Sequence, residues 1–187
     1  MIEICDKEIQ KLPAPNQIYG EWKSYLLILK WFFDARNIVN PVIVEVGTQA
    51  GRQKAHYEKF FDAVHIGIDR SEKWSKPDII GDSHDPETLA KLKERLGVQE
   101  VNVVFIDANH EYEDVKQDYE MYGPLAQDII AFHDISGVKS VGKLWAEIRE
   151  QEKGNTDLEF MSIGDLKKGW CELGIGIIKK QKNRWRS

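Results

Sequence analysis

Four carboxylates in this 187-residue chain follow runs of apolar, largely β-branched residues. Glu45 closes Val42-Ile43-Val44, Asp69 closes Val64 to Ile68, and Asp107 closes Val101 to Ile106; Asp134 follows Ile129 to Phe132, with His133 before it. Such runs read as strands buried on both faces of a parallel sheet. Their carboxyl ends gather at one edge, where open α/β sheets bind ligands. Carboxylates held close together raise each other's pKa, so a row of them calls for a cation. A positively charged small molecule, an ammonium or a sulfonium, would balance Glu45 and Asp69. A divalent metal would balance Asp107 and Asp134, with His133 as a third ligand. His110, three residues after Asp107, is placed to take a proton from a substrate hydroxyl as a neutral imidazole; the plainer reading is a surface histidine. His56, His65 and His84 read as structural or solvated.

The elements that would position these groups are legible around Pro41 to Arg52, PVIVEVGTQAGR. A strand, a turn with Gly47, Thr48 and Gly51, then the polar start of a helix form the opening unit of a nucleotide-type α/β fold. Glycines there would let a cofactor approach the backbone. The spacing is E-x-G-x-x-x-G, with Gln49 where a dinucleotide fingerprint has its middle glycine. Glu45 would repel a pyrophosphate, so a nicotinamide-dependent reductase is disfavoured. Asp69, at the end of the second strand, would accept both ribose hydroxyls, since a carboxylate offers two oxygens at diol spacing. Asp82 and Ser83 either reach the adenine edge or form an ordinary turn before a helix capped by Asp85.

The rest of the chain supplies alternating elements. Trp22, Tyr25, Leu26, Leu29, Phe32 and Phe33 mark one face of a helix beginning at Glu21, packed on the sheet; Trp22 or Tyr25 could also line a pocket. Helices are expected over 53–61, Pro86 to Leu96, 113–122 and Val141 to Glu150. Ile79-Ile80 suggests a short third strand. Leu158 to Ile163 and Leu173 to Ile178 suggest a closing hairpin. Lys179, Lys180, Lys182, Arg184 and Arg186 read as a solvated basic end, with an anionic partner as the minority reading.

Composition bounds the function. The chain is 42% hydrophobic and 30% charged, which fits one globular domain with a sizeable core. A net charge of -5 argues against broad nucleic-acid binding. No apolar run approaches the ~20 residues that span a bilayer. The first residues lack the apolar core of a secretory signal. Cys5 and Cys171 form no C-x-x-C pair and read as free thiols in a reducing cytoplasm.

The E-x-G-x-x-x-G turn resembles motif I of the class I methyltransferases that use S-adenosylmethionine. With VEVGTQAG, GID, GDS, VVFIDANHEYEDVKQDYEMYGPLAQDIIAFHDI and GVKSVGKLWAEI together, the chain resembles one branch of that family. That branch includes the cephalosporin hydroxylase-like and macrolide-sugar O-methyltransferase proteins. The likeness covers about residues 41 to 150 and, more loosely, the final hairpin. It implies an α/β, Rossmann-like three-layer sandwich whose mostly parallel seven-stranded sheet is closed by a C-terminal antiparallel hairpin. Residues 1–40 would be a lead-in and a helix packed on the core, and 41–187 the cofactor-binding part of one structural domain. It further implies S-adenosylmethionine on Glu45, Gly47, Thr48, Gly51, Asp69, Asp82, Ser83 and Asp107, and Mg2+ or another divalent metal on Asp107, His133 and Asp134. His110 and Asp107 would be the catalytic pair. Relatives usually carry two acids where this chain has His133-Asp134. The expected function is O-methylation of a hydroxyl on a small molecule or a glycan, in the cytoplasm. The alternative is a non-catalytic module binding the cofactor or S-adenosylhomocysteine. The short chain implies an acceptor pocket that is open or completed by another subunit, as in a homodimer.

Overall fold

The computed structural model describes residues 20–164 and 173–181. Cys5, Cys171, Gly169 and the basic residues beyond Gln181 lie outside the described residues. Seven strands form one sheet: β1 (Val42–Val46), β2 (Val64–Asp69), β3 (Ile79–Ile80), β4 (Val101–Ile106), β5 (Ala126–His133), β6 (Leu158–Ile163) and β7 (Ile175–Lys180). Their order is β3-β2-β1-β4-β5-β7-β6. The first five strands pair in parallel, while β7 runs antiparallel to both β5 and β6. The order reverses between β1 and β4, so the loops after them diverge and open a crevice.

Among the described residues five α-helices flank the sheet: α1 (Gly20–Arg36), α2 (Arg52–Phe61), α3 (Pro86–Leu96), α4 (Tyr112–Tyr122) and α5 (Lys139–Gln151). The two-residue period of the strands divides the core. Val44, Val46, Val104, Ile106, Ile130 and Phe132 pack on α3, α4 and α5. Ile43, Val103, Phe105, Ile129, Ala131, Ile175 and Ile177 pack on α1 and α2. α1 buries the face expected from its spacing: Tyr25 and Leu29 are fully buried, with Leu26, Phe32 and Phe33 nearly so. Tyr25 therefore belongs to the core. α3 starts as its sequence dictates, with the Asp85 side chain accepting from Glu87 N at 2.9 Å and Pro86 in the first turn. Gly97 ends it.

Some boundaries shift. β5 begins at Ala126, ahead of the apolar run, because Ala126 pairs with Val101 at the foot of β4. Asp128 is buried there, ion-paired with Arg36 at 3.0 Å and accepting from Asn102 at 2.9 Å. β7 ends in Lys179 and Lys180, which are not a solvated tail. Lys179 Nζ lies 2.9 Å from Glu159 and over the Trp31 ring, and Lys180 Nζ donates to Ala126 O at 2.6 Å. No helix among the described residues is long and apolar enough to cross a membrane.

Candidate active site

A cavity of about 990 Å3 opens over the carboxyl ends of β1, β2, β4 and β5. Gly47, Thr48, Asp69, Asp82, Ser83, Asp107, His110, His133 and Asp134 all line it. So does Trp22 from α1, whose ring sits 5.4 Å from that of His133.

Glu45 is a correction. It lies inside β1, opposite Gly67 and Phe105, and is fully buried away from the cavity. Its Oε2 is 2.7 Å from His65 Nε2, and the His65 ring stacks on Tyr57 at 5.7 Å. Burial pushes the Glu45 carboxyl above its ordinary range, which the His65 hydrogen bond only partly offsets. The strand continues through Val46, so the acid is one position too early to reach a ligand. His65 is thus structural, as expected.

The glycine turn also has a different cause from the one the sequence suggests. Gly47 has φ +88°, and a Cβ there would lie 2.5 Å from Ala108 Cα and collide with Asp107 O. The close approach is between the β1 and β4 loops of the protein itself. Gly51 sits in the left-handed region at φ +63°, just before α2, and does not line the cavity.

Asp69 braces this turn. Its Oδ2 accepts from Thr48 N at 3.1 Å and Gln49 N at 2.8 Å, and its Oδ1 accepts from Ser71 N at 3.0 Å. A carboxylate has about four acceptor sites. Three are taken, so Asp69 has room for one further hydroxyl, on Oδ1, where the sequence suggested two.

Asp107, His110, His133 and Asp134 form the densest cluster. β4 and β5 are adjacent, and each acid stands just past its strand. His110 Nε2 is 3.0 Å from Asp134 Oδ2 and 3.5 Å from Asp107 Oδ1. His133 Nδ1 donates to Asp107 Oδ1 at 3.1 Å, and its buried Nε2 has no hydrogen-bond partner among the described residues. Asn109 Oδ1 accepts from His110 N at 2.8 Å, and Ser140 Oγ donates to His110 O, so the loop is pinned on both sides. Asp134 holds φ +63°, a conformation that Asp and Asn tolerate better than most residues.

Charge balance sets the protonation. Burial pushes Asp107 up, but the hydrogen bonds from His110 and His133 outweigh it, and the carboxyl lies below its usual range. Hydrogen bonds to Asp107 and Asp134 raise His110 to about 10. His133 is also raised; burial opposes this, and the Asp107 bond prevails. At neutral pH His110 is an imidazolium, not the neutral base that its sequence position suggested.

Ligand atoms of Asp107, His110 and Asp134 all fall within 4.8 Å of one another, a spacing that a single ion can bridge. Buried Asp134 Oδ1 has no hydrogen-bond partner among the described residues. The two carboxylate oxygens suit a divalent cation, whose charge would stand in for that of the His110 imidazolium between them. His133, expected as a ligand, instead steers Asp107. His84, read from the sequence as structural or solvated, and Asp114, not singled out there, line the cavity too. His84 had no sequence signal, because the partner that fixes it, Asp118, is 34 residues away on α4.

No family model matches the chain, and no curated protein matches it. Solved structures do. TomG, an O-methyltransferase from Streptomyces achromogenes crystallised with S-adenosylmethionine, superposes with a TM-score of 0.62 at 13% identity, over 97% of this chain and 89% of that one. MycE, a methyltransferase of the mycinamycin pathway crystallised with Mg, S-adenosylhomocysteine and mycinamycin VI, gives 0.59 at 15% identity. The match covers all of this chain but only 56% of MycE. An O-methyltransferase from Bacillus cereus, in complex with S-adenosylhomocysteine, gives 0.54 at 13% identity, over 96% of this chain and all of that one. The fold of this chain is the Rossmann-like methyltransferase fold, with the seven-stranded sheet and antiparallel closing pair that its sequence implied.

Proposed function

We propose that the chain is an S-adenosylmethionine-dependent O-methyltransferase that acts on a hydroxyl of a small molecule or a sugar with the help of a divalent metal. The observation that carries this reading is the pairing of Asp107 and Asp134 around His110, in the same cavity as the turn braced by Asp69. Fold alone would not support a reaction, since one fold serves many chemistries. TomG and MycE were crystallised with the cofactor or its product, and MycE also with Mg, which supports the same pairing of sites.

Bound S-adenosylmethionine supplies a methyl group on a cationic sulfur, and a divalent cation supplies Lewis acidity that lowers the pKa of an acceptor hydroxyl. The residues of the chain do the rest. Asp69 Oδ1 accepts one ribose hydroxyl. Asp107 and Asp134 offer the oxygens that hold the cation, and His133 fixes the orientation of Asp107. His110 keeps its proton because two carboxylates face it. With a cation balancing those carboxylates instead, His110 would release that proton to solvent, and its neutral Nε2 would then be free to take the acceptor's. Trp22 walls the cavity beside His133. Displacement at a methyl carbon is in line, so positioning is the main contribution of the protein.

The test is calorimetry with S-adenosylhomocysteine, alongside methyl transfer to a panel of hydroxyl acceptors with Mg2+ present. Asp69→Ala should weaken nucleoside binding about tenfold. His110→Ala should bind it normally and turn over roughly 10²- to 10⁴-fold more slowly. Unchanged affinity in the first variant removes the ribose assignment. Binding without transfer to any acceptor would instead make the protein a nucleoside-binding module.

A further inference from the structure

Five carboxylates line the cavity, Asp69, Asp82, Asp107, Asp114 and Asp134, and with them two arginines, Arg52 and Arg70. Opposite charges that share a cavity are expected to pair, yet neither guanidinium makes a hydrogen bond or an ion pair among the described residues. The acids are committed elsewhere: Asp69 to three backbone amides, Asp82 to His84 N, Asp114 to Asn109, and Asp107 and Asp134 to His110. Both arginines are exposed, so the five N–H donors of each are left to solvent.

Two loops bring them to one lip of the cavity. Arg52 opens α2, and Arg70 follows Asp69 at the end of β2. Asp69 ties the loops together, since Oδ2 holds Thr48 N and Gln49 N of the first and Oδ1 holds Ser71 N of the second. Thr48 Oγ1 lies 3.3 Å from Ser75 Oγ across the same seam. The third member of the lip is Trp74, which lines the cavity although it is 69% exposed. Lys73 Nζ lies over its ring, 4.8 Å from the centroid. An exposed indole forgoes the gain of burial, and a planar ligand stacked on it recovers part of that gain. On a chain of net charge -5, Arg52, Arg70 and Lys73 stand here against one exposed acid, Glu72.

A guanidinium is a planar fork that meets a phosphate through two parallel N–H bonds. Two such forks beside an open aromatic ring fit a phosphate chain next to a planar base. One cavity runs from this lip to the paired acids at Asp107 and Asp134. We propose that Arg52, Arg70 and Trp74 bind the nucleoside diphosphate end of the methyl acceptor, whose sugar carries the reacting hydroxyl to those acids. The inference rests on the O-methyltransferase reading and narrows its acceptor to a nucleotide-linked sugar.

The experiment titrates UDP and uridine calorimetrically into the full-length protein saturated with S-adenosylhomocysteine. EDTA is present, so that no metal at Asp107 and Asp134 holds the phosphates. Wild type, Arg52→Gln, Arg70→Gln, the double arginine variant, Trp74→Ala and Trp74→Phe are compared, with Lys93→Gln on α3, outside the cavity, as a charge control. All these side chains are exposed, and each variant is checked for a cooperative thermal transition. The wild type should hold UDP at least about tenfold more tightly than uridine. Each arginine variant should weaken UDP about five- to tenfold and leave uridine and S-adenosylhomocysteine unchanged. Trp74→Ala should weaken UDP and uridine alike, and Trp74→Phe should keep much of the wild-type affinity. Equal affinity for UDP and uridine overturns the inference, as does an equal loss in Lys93→Gln. So does a loss of S-adenosylhomocysteine affinity in the arginine variants, which would assign them to the cofactor. A uridine oligomer that binds far more tightly than UDP would make the lip a nucleic-acid surface and overturn it too. If the wild type does not bind S-adenosylhomocysteine, the methyltransferase reading falls and takes this inference with it. If it binds S-adenosylhomocysteine but not UDP, only the inference falls.

Discussion

At the scale of single residues, the sequence revealed which groups matter better than what each one does. Asp69, Asp107, His110, His133 and Asp134 were all visible as polar residues at or just beyond the ends of apolar runs, and all line one cavity. Glu45 looked identical by that criterion. Only the one-residue overrun of β1 through Val46, and a histidine twenty positions away, place it in the core. The turn of His133 toward Asp107, and the proton held on His110, were equally hidden, because they depend on which imidazole nitrogen meets which oxygen. If Asp107 and Asp134 hold the cation, Asp134→Asn should lower its affinity at least about tenfold, measured with Mn2+ by calorimetry. Asn tolerates the left-handed backbone at that position, so the substitution removes the charge facing His110 without straining the chain. Chelation of the metal should abolish methyl transfer while leaving nucleoside binding intact. Gly47→Ala should be far more damaging. It combines a strained φ with a collision against the β4 loop, and roughly 2–5 kcal/mol of stability should be lost, read from urea unfolding.

At the scale of elements, the strands and helices were legible because each side of the sheet follows its own period. The helical face of α1 and the caps of α3 were readable from local pattern alone. The foot of β5 was not. Ala126 to Asp128 carries no apolar run, and Asp128 is in the sheet only because Arg36 and Asn102 satisfy it from distant positions. α4 carries a comparable surprise in Asp118. Burial raises its carboxyl pKa from 3.8 to about 6, so the folded state holds this proton more tightly than the unfolded state. Between those values the unfolded chain has lost the proton and the folded one has not. This group's contribution to stability therefore falls as pH rises through that window, and the loss is complete above about 6. Two pKa units correspond to about 3 kcal/mol. Urea midpoints between pH 4 and pH 7 should show a flatter profile in Asp118→Asn than in the wild type.

At the scale of the whole molecule, two apolar layers share one sheet. Val44 and Ile43 are neighbours in β1 yet belong to opposite layers, as do Val104 and Val103 in β4. Neither layer can be lost while the other keeps its strands. Thermal unfolding followed by far-ultraviolet circular dichroism and by tryptophan fluorescence should therefore give coincident transitions. Two resolved transitions would mean that α1 detaches first. The contact between the β1 and β4 loops has a wider reach. Gly47 lies against Asp107 and Ala108, and Asp107 N donates to Val46 O at 2.8 Å. The part of the crevice braced by Asp69 is thus wedged against the part that carries the paired acids. Neither can be redrawn alone. A directed-evolution library that randomises one lip of the crevice will recover working clones only when the opposite lip is allowed to vary with it.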